Sequence, residues 1–155
     1  MPAPFSTLND TPAMQKTLLV LHLLGLACGL SVPFSNMIMG ALIDKAAPPE
    51  KPILARFPPA MMRVGDIGLA LLWITGPAML FTKYNGFAGM PWTFHVKLLG
   101  VVALTLCVGY IHSQAKRAFS GDQAALARVK NVGKVALLSA LTALVFAVLT
   151  FEPSM

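Results

Sequence analysis

Acidic side chains are scarce in this chain, with six Asp and Glu among 155 residues against twelve Lys and Arg. Asp44 and Glu152 flank apolar runs, and only Asp66 could enter one, three residues from Arg63, where a local ion pair is expected rather than a proton relay. Ion-coupled transport therefore has no obvious carrier. Cysteine is nearly absent too: Cys28 and Cys107 lack CxxC spacing and fall at different depths of their runs, so small buried thiols are expected, not a disulfide or a thiolate metal site. A Gly-rich nucleotide loop, an HExxH zinc pattern and a GxSxG elbow are all missing, which removes the usual sequence grounds for those chemistries. The first 15 residues have neither the basic start nor the cleavage pattern of a signal peptide and read as a polar tail.

What the chain has in abundance is apolar surface. Hydrophobic residues make up 56% and charged residues 12%, with a mean hydropathy of +0.70. Four runs, approximately 18–43, 61–82, 93–114 and 133–151, reach the roughly 20 residues that cross about 30 Å of hydrocarbon. The second is long enough only if it begins near Met61, with Arg63 and Asp66 at the interface. A soluble four-helix bundle would need a polar face on each helix, and none of the runs has one. The expected fold is all-α: an integral-membrane, four-helix, up-down bundle in a lipid bilayer, forming a single domain.

Cations outside the runs set an orientation. Lys45, Lys51, Arg56, Arg63, Lys116, Arg117, Arg128, Lys130 and Lys134 lie in the two loops that share a side, against Lys16, Lys83 and Lys97 opposite. The basic loops are expected in the cytoplasm and both termini in the periplasm of a bacterial inner membrane. Topogenic use accounts for the basic excess, and no nucleic-acid partner is expected. Among the connections, "DKAAPPEKPILARFPP" has too many prolines for a continuous helix, and "TKYNGFAGMPW" is a Gly-rich reversal. In "FSGDQAALARVKN", Ser120 and Asp122 can cap a short amphipathic helix leading into the last run.

At 3.6 residues per turn, His22, Gly25, Gly29, Pro33 and Asn36 share one side of the first run, with Gly25 and Gly29 forming a GxxxG pair. Stepping from His95 in the third run passes Leu99, Val102, Leu106, Gly109 and Ser113, while His112 points elsewhere and reads as interfacial. The fourth run carries Ser139, Thr142, Ala143 and Phe146, a seam suited to packing. The nine methionines form no tight array and read as core filling rather than as a copper site.

In an up-down arrangement the first and third runs start on the same side, which puts His22 and His95 at similar depth near the outer leaflet. Two such histidines can ligate one haem iron axially, with Lys97, Lys16 or the Trp92 indole meeting a propionate or another anionic group. The plainer alternatives are an interhelical hydrogen bond for His22 and interfacial anchoring for Trp92, His95 and Lys97.

"LHLLGLACGL", "MMRVGDIGLALLWITGPAML" and "PWTFHVKLLGVVAL" together resemble the HemJ-type protoporphyrinogen oxidases and the related predicted integral-membrane proteins of unknown function. The resemblance covers about 95 residues. It implies a helical membrane protein that binds haem b, a tetrapyrrole, and oxidises protoporphyrinogen, passing electrons toward the respiratory chain. His22 matches the first-span histidine, Trp92, His95 and Lys97 match the third-span cluster, and Arg63 matches a basic residue preceding the second span. The chain departs from the pattern in placing two residues between Trp92 and His95 where one is expected, and in having "SVPFSNMIMG" where late aromatic and basic residues are expected. Three functions follow as expectations: a haem-binding redox protein, a noncatalytic structural or assembly subunit working with other membrane subunits or as a homo-oligomer, and a small transporter with a cavity lined by Asn36, Thr75 and Ser139.

Overall fold

The structure, a computed structural model, describes residues 12–83, 86–87 and 90–151. All regular structure among them is helical: α1 (Pro12–Lys45), α2 (Lys51–Leu54), α3 (Phe57–Lys83), α4 (Trp92–Phe119) and α5 (Gln123–Phe151). Four of these, with α2 and α3 counted as one stretch, are long and apolar enough to cross a membrane. The chain is thus a small, all-α membrane protein. The expected polar tail lies outside the described residues up to position 11, whereas Pro12 to Gln15 already belong to α1.

Local chemistry sets the helix ends. Pro12 opens α1 and the Pro58–Pro59 pair sits in the first turn of α3, positions where a missing N–H costs nothing. Between α1 and α3 the prolines restrict helix to the four residues of α2, and the Glu50 carboxylate accepts from the Ala47 amide at 3.1 Å. Pro33 and Pro77 lie inside α1 and α3 without ending them, as membrane helices allow.

The chain forms two units, residues 1–89 and 90–155, and each is an antiparallel helical hairpin. In the first, α1 packs on α3 through glycine. A Cβ on Gly25 would stand 2.9 Å from the Gly68 carbonyl oxygen, and one on Gly68 would stand 2.8 Å from both Gly25 O and Gly29 N. Further along, Val32 covers Gly65. Small residues here let two backbones touch, which in lipid replaces hydrophobic burial as the source of helix association.

In the second unit α4 packs on α5. Gly100 faces the Ser139 carbonyl and Ala143, where a Cβ would come within 3.1 and 3.2 Å, and Ala136, Ala140 and Ala143 are buried along the same seam. Of the seam expected from the sequence, Ser139, Ala143 and Phe146 meet α4, while Thr142 is exposed and Ala136 and Ala140 are buried in its place. Ser120 to Asp122 join the helices. Gly121, at φ +101°, donates to Ala118 O, and Asp122 N donates to Arg117 O, closing the end of α4. The Asp122 carboxylate then accepts from the Ala124 and Ala125 amides at 2.9 and 3.1 Å and starts α5. No separate short helix precedes the last span, because the cap launches one helix that runs on through Phe151. Ser120 closes α4 through its hydroxyl on Arg117 O and does not cap α5.

Burial is inverted relative to a water-soluble bundle. The buried apolar side chains are mostly alanine, while Ile74, Leu99, Leu106 and Leu138 are all more than 60% exposed. Such an outer surface suits lipid, whose tails are as apolar as leucine.

Candidate functional site

In the first hairpin one polar residue of α1 meets one of α3. His22, half-buried in α1, has Nδ1 2.8 Å from Thr75 Oγ1 in α3. Thr75 is 1% exposed, and its hydroxyl also lies 2.6 Å from Leu71 O, one turn back in its own helix. A carbonyl can only accept, so the single hydroxyl proton goes to Leu71 O. Thr75 Oγ1 must then accept from His22, and Nδ1 carries the imidazole proton. In the neutral ring the lone pair is left on Nε2. Gly76 lies beside the ring, its Cβ position 3.7 Å from His22 Cε1.

The same end of this hairpin bears a shallow groove of about 200 Å³ lined by Gln15, Lys16, Leu19, Met79, Thr82 and Lys83. Lys16 precedes His22 by six residues, roughly 9 Å of helix rise. Lys83 shares the groove, so two ammonium groups rim it. Lys16, expected at the rim from the sequence, is joined there by Lys83, whose charge the sequence assigns only to topology. Thr75, expected to line a transporter cavity, has its hydroxyl enclosed and bonded at both ends. Toward the other end of α1, Asn36 keeps a buried Oδ1 with no hydrogen-bond partner among the described residues.

In the second hairpin, α4 opens at Pro91, whose extended backbone leads into Trp92. His95 is exposed, with Nδ1 3.3 Å from Pro91 O, so this ring too carries its proton on Nδ1. Phe94 stands edge-on to it at 6.0 Å and is itself buried. Trp92 meets Phe146 of α5 edge-on at 5.7 Å, while most of its surface stays exposed. Lys97 is half-buried in the next turn. The stripe from His95 through Leu99, Val102, Leu106 and Gly109 is exposed, and the face turned to α5 holds Thr93 and Gly100 instead.

His22 and its partners thus belong to one hairpin, and Trp92, His95 and Lys97 to the other. His112 is exposed at the far end of α4 with Nδ1 2.9 Å from Val108 O, in keeping with an interfacial role. Both cysteines are half-buried free thiols. Among the described residues there is no group of three or more His, Cys, Asp or Glu side chains able to hold a metal ion.

Against models of known families, curated proteins and solved structures, the chain matches none. Function must be argued from the chain's own residues. Of these, His22 has the most defined setting: a half-buried imidazole inside an apolar span, its tautomer fixed by a hydroxyl that is fixed in turn by its own helix. Metal-ligating histidines are oriented in a comparable way, by a second group that holds one ring N–H. The chemistry of this donor fits an axial haem ligand, and the two lysines at the groove are of the charge that meets propionates.

Proposed function

We propose that this chain is a small redox protein of the bacterial inner membrane that holds haem b, in the manner of the HemJ-type oxidases its motifs resemble, with both termini periplasmic. The observation that supports the reading is the His22–Thr75 hydrogen bond, which fixes the tautomer and orientation of an imidazole inside an apolar span. His95, with its proton likewise on Nδ1, is the other histidine that would hold the group. Lys16, Lys83, Lys97 and the Trp92 indole are the groups of suitable chemistry to meet propionates. Bound haem would supply one-electron chemistry. The chain's own part is to present neutral imidazoles in the right tautomer, to neutralise the carboxylates of a tetrapyrrole, and to keep water from the iron with apolar helix faces.

The test is an absorption spectrum of the detergent-purified protein, oxidised and reduced, made with ample haem supply, beside His22→Ala and His95→Ala. A Soret band that is lost in both variants supports paired ligation and justifies assaying protoporphyrinogen oxidation. Loss in His22→Ala alone would restrict the ligand set to the first hairpin. Protein without haem would overturn the reading and leave a noncatalytic subunit of a larger membrane assembly as the better account.

A further inference from the structure

The two hairpins differ sharply in the charge they carry at their basic ends. Around the α1–α3 connection, Lys45, Lys51, Arg56 and Arg63 are interleaved with Asp44, Glu50 and Asp66. Around the α4–α5 turn, Lys116, Arg117, Arg128, Lys130 and Lys134 have one acid among them, Asp122, and its carboxylate already accepts two backbone amides as the cap of α5. Positive-inside orientation would be served by cations anywhere in a flexible loop. Here they stand on helix.

That end is firmly built. Ala125 is 1% exposed and Ala118 6%, so the α4–α5 tip is packed up to the turn. The last carbonyls of α4, on Lys116, Arg117 and Ala118, are satisfied by the amides of Ser120, Asp122 and Gly121. The basic side chains are therefore not needed as caps, and all five are exposed. Depth completes the argument. The continuous apolar run of α4 stops at Ile111 and that of α5 begins at Val135. At 1.5 Å per residue, Lys134 stands at the hydrocarbon edge, Lys130 about 6 Å beyond it, Lys116 about 7 to 8 Å, and Arg117 and Arg128 about 9 Å. The headgroup layer on one side of a bilayer is about 5 to 8 Å deep, and Lys and Arg side chains reach several ångströms along it.

We propose that the α4–α5 tip is a binding site for anionic phospholipid headgroups, with Lys116, Arg117, Arg128, Lys130 and Lys134 forming a collar in the phosphate layer. Clusters of four or more cations next to a membrane helix attract anionic lipid at about a fivefold gain per residue. The near-balanced end of the first hairpin lacks that excess. The inference rests on α4 and α5 crossing the bilayer and is independent of haem, so a haem-free protein leaves it intact.

The full chain, reconstituted in phosphatidylcholine bilayers, is tested with trace spin-labelled phosphatidylglycerol or phosphatidylcholine, reading the motionally restricted fraction of each label. Phosphatidylglycerol is expected to be enriched several-fold over phosphatidylcholine, and the enrichment to fall as salt rises toward 1 M, where the Debye length is about 3 Å. Changing all five cations to Gln should abolish the preference. Exchanging Lys for Arg and Arg for Lys at the same positions should preserve it, and Lys45→Gln with Lys51→Gln and Arg56→Gln should leave most of it. Circular dichroism confirms that each variant is helical, and the salt series on the unaltered protein stands on its own should the glutamine variant fail to fold. Equal restriction of the two labels in the unaltered protein, or a preference that survives in a folded glutamine variant, overturns the proposal. Loss of the preference on adding inorganic phosphate, but not chloride of equal ionic strength, would assign the site to free phosphate and overturn the lipid assignment.

Discussion

His22 Nδ1 and Thr75 Oγ1 lie 2.8 Å apart across α1 and α3, joining residues 53 positions apart in sequence. Because the Thr75 proton is directed to Leu71 O, this contact is a one-way donation from imidazole to hydroxyl. Thr75→Val preserves the side-chain volume and removes the acceptor, leaving the His22 N–H without its interhelical partner. Interhelical hydrogen bonds in membranes average about 0.6 kcal/mol and reach about 1.7. Thr75→Val is expected to cost about 1 kcal/mol in thermal unfolding of the detergent-solubilised protein, with Thr75→Ser close to the unaltered chain. For haem-loaded protein, loss of such a supporting contact should weaken haem binding about 10- to 100-fold, as read by titration against the Soret band. A Val variant indistinguishable from Ser in both measurements would remove Thr75 from the site.

The two glycines of the GxxxG pair are not equivalent. A Cβ on Gly25 meets Gly68 O at 2.9 Å and Leu71 Cβ at 3.0 Å, but one on Gly29 meets nothing within 4 Å. Gly25→Ala forces the helices apart and should destabilise the first hairpin by about 1 to 3 kcal/mol. Gly68→Ala should do the same, since its Cβ would stand 2.8 Å from backbone atoms on α1. Gly29→Ala is expected to be neutral or slightly stabilising, because alanine is the better helix former. Unfolding of the three variants in one detergent gives the order. Equal losses at Gly25 and Gly29 would contradict the packing described.

The sequence made the span lengths legible because bilayer thickness imposes a length that composition alone can satisfy. It also showed that His22, Gly25 and Gly29 share a face, since the rest of α1 is bulky and contrast is strong. The sequence of α4 does not show which of its faces meets α5. From His95 onward one stripe holds Leu99 and Leu106 and the other Gly100, and in lipid neither polarity nor bulk forces the histidine stripe inward. The packing face is instead fixed by which residues allow close approach, and Gly100 against Ala143 does so. Thr75 as a partner was illegible for a different reason. Its role depends on the register of α3 against α1, which the Gly25–Gly68 contact sets and no local pattern records.

Three residues, Ser120 to Asp122, end one helix and begin the next. Asp122→Ala removes the acceptor for two amides at the start of α5 and should cost about 1 kcal/mol. Gly121→Ala places a Cβ at φ +101° and should cost a similar amount. The loss should be local. Hydrogen exchange is expected to quicken at Ala124 and Ala125, whose amides are bonded to the Asp122 carboxylate, with little change in the middle of α5. Exchange that quickens along the whole helix would mean that the tip nucleates the hairpin.

In the second hairpin the interhelical pair Thr93–Thr150 is directional. Thr150 Oγ1 lies 2.6 Å from Phe146 O and 2.9 Å from Thr93 Oγ1. One hydroxyl proton cannot serve both, and the carbonyl cannot donate, so Thr150 donates to Phe146 O and accepts from Thr93. Thr93→Val then leaves Thr150 still bonded within its own helix. Thr150→Val removes the acceptor that the Thr93 proton uses and leaves that proton unsatisfied, which costs more than deleting both partners. Thr150→Val is accordingly expected to be the more destabilising single change, and the double variant to recover part of the loss. A double-mutant cycle by thermal unfolding should give a coupling of about 0.6 kcal/mol. Equal single losses with no coupling would show that each hydroxyl bonds only to its own helix.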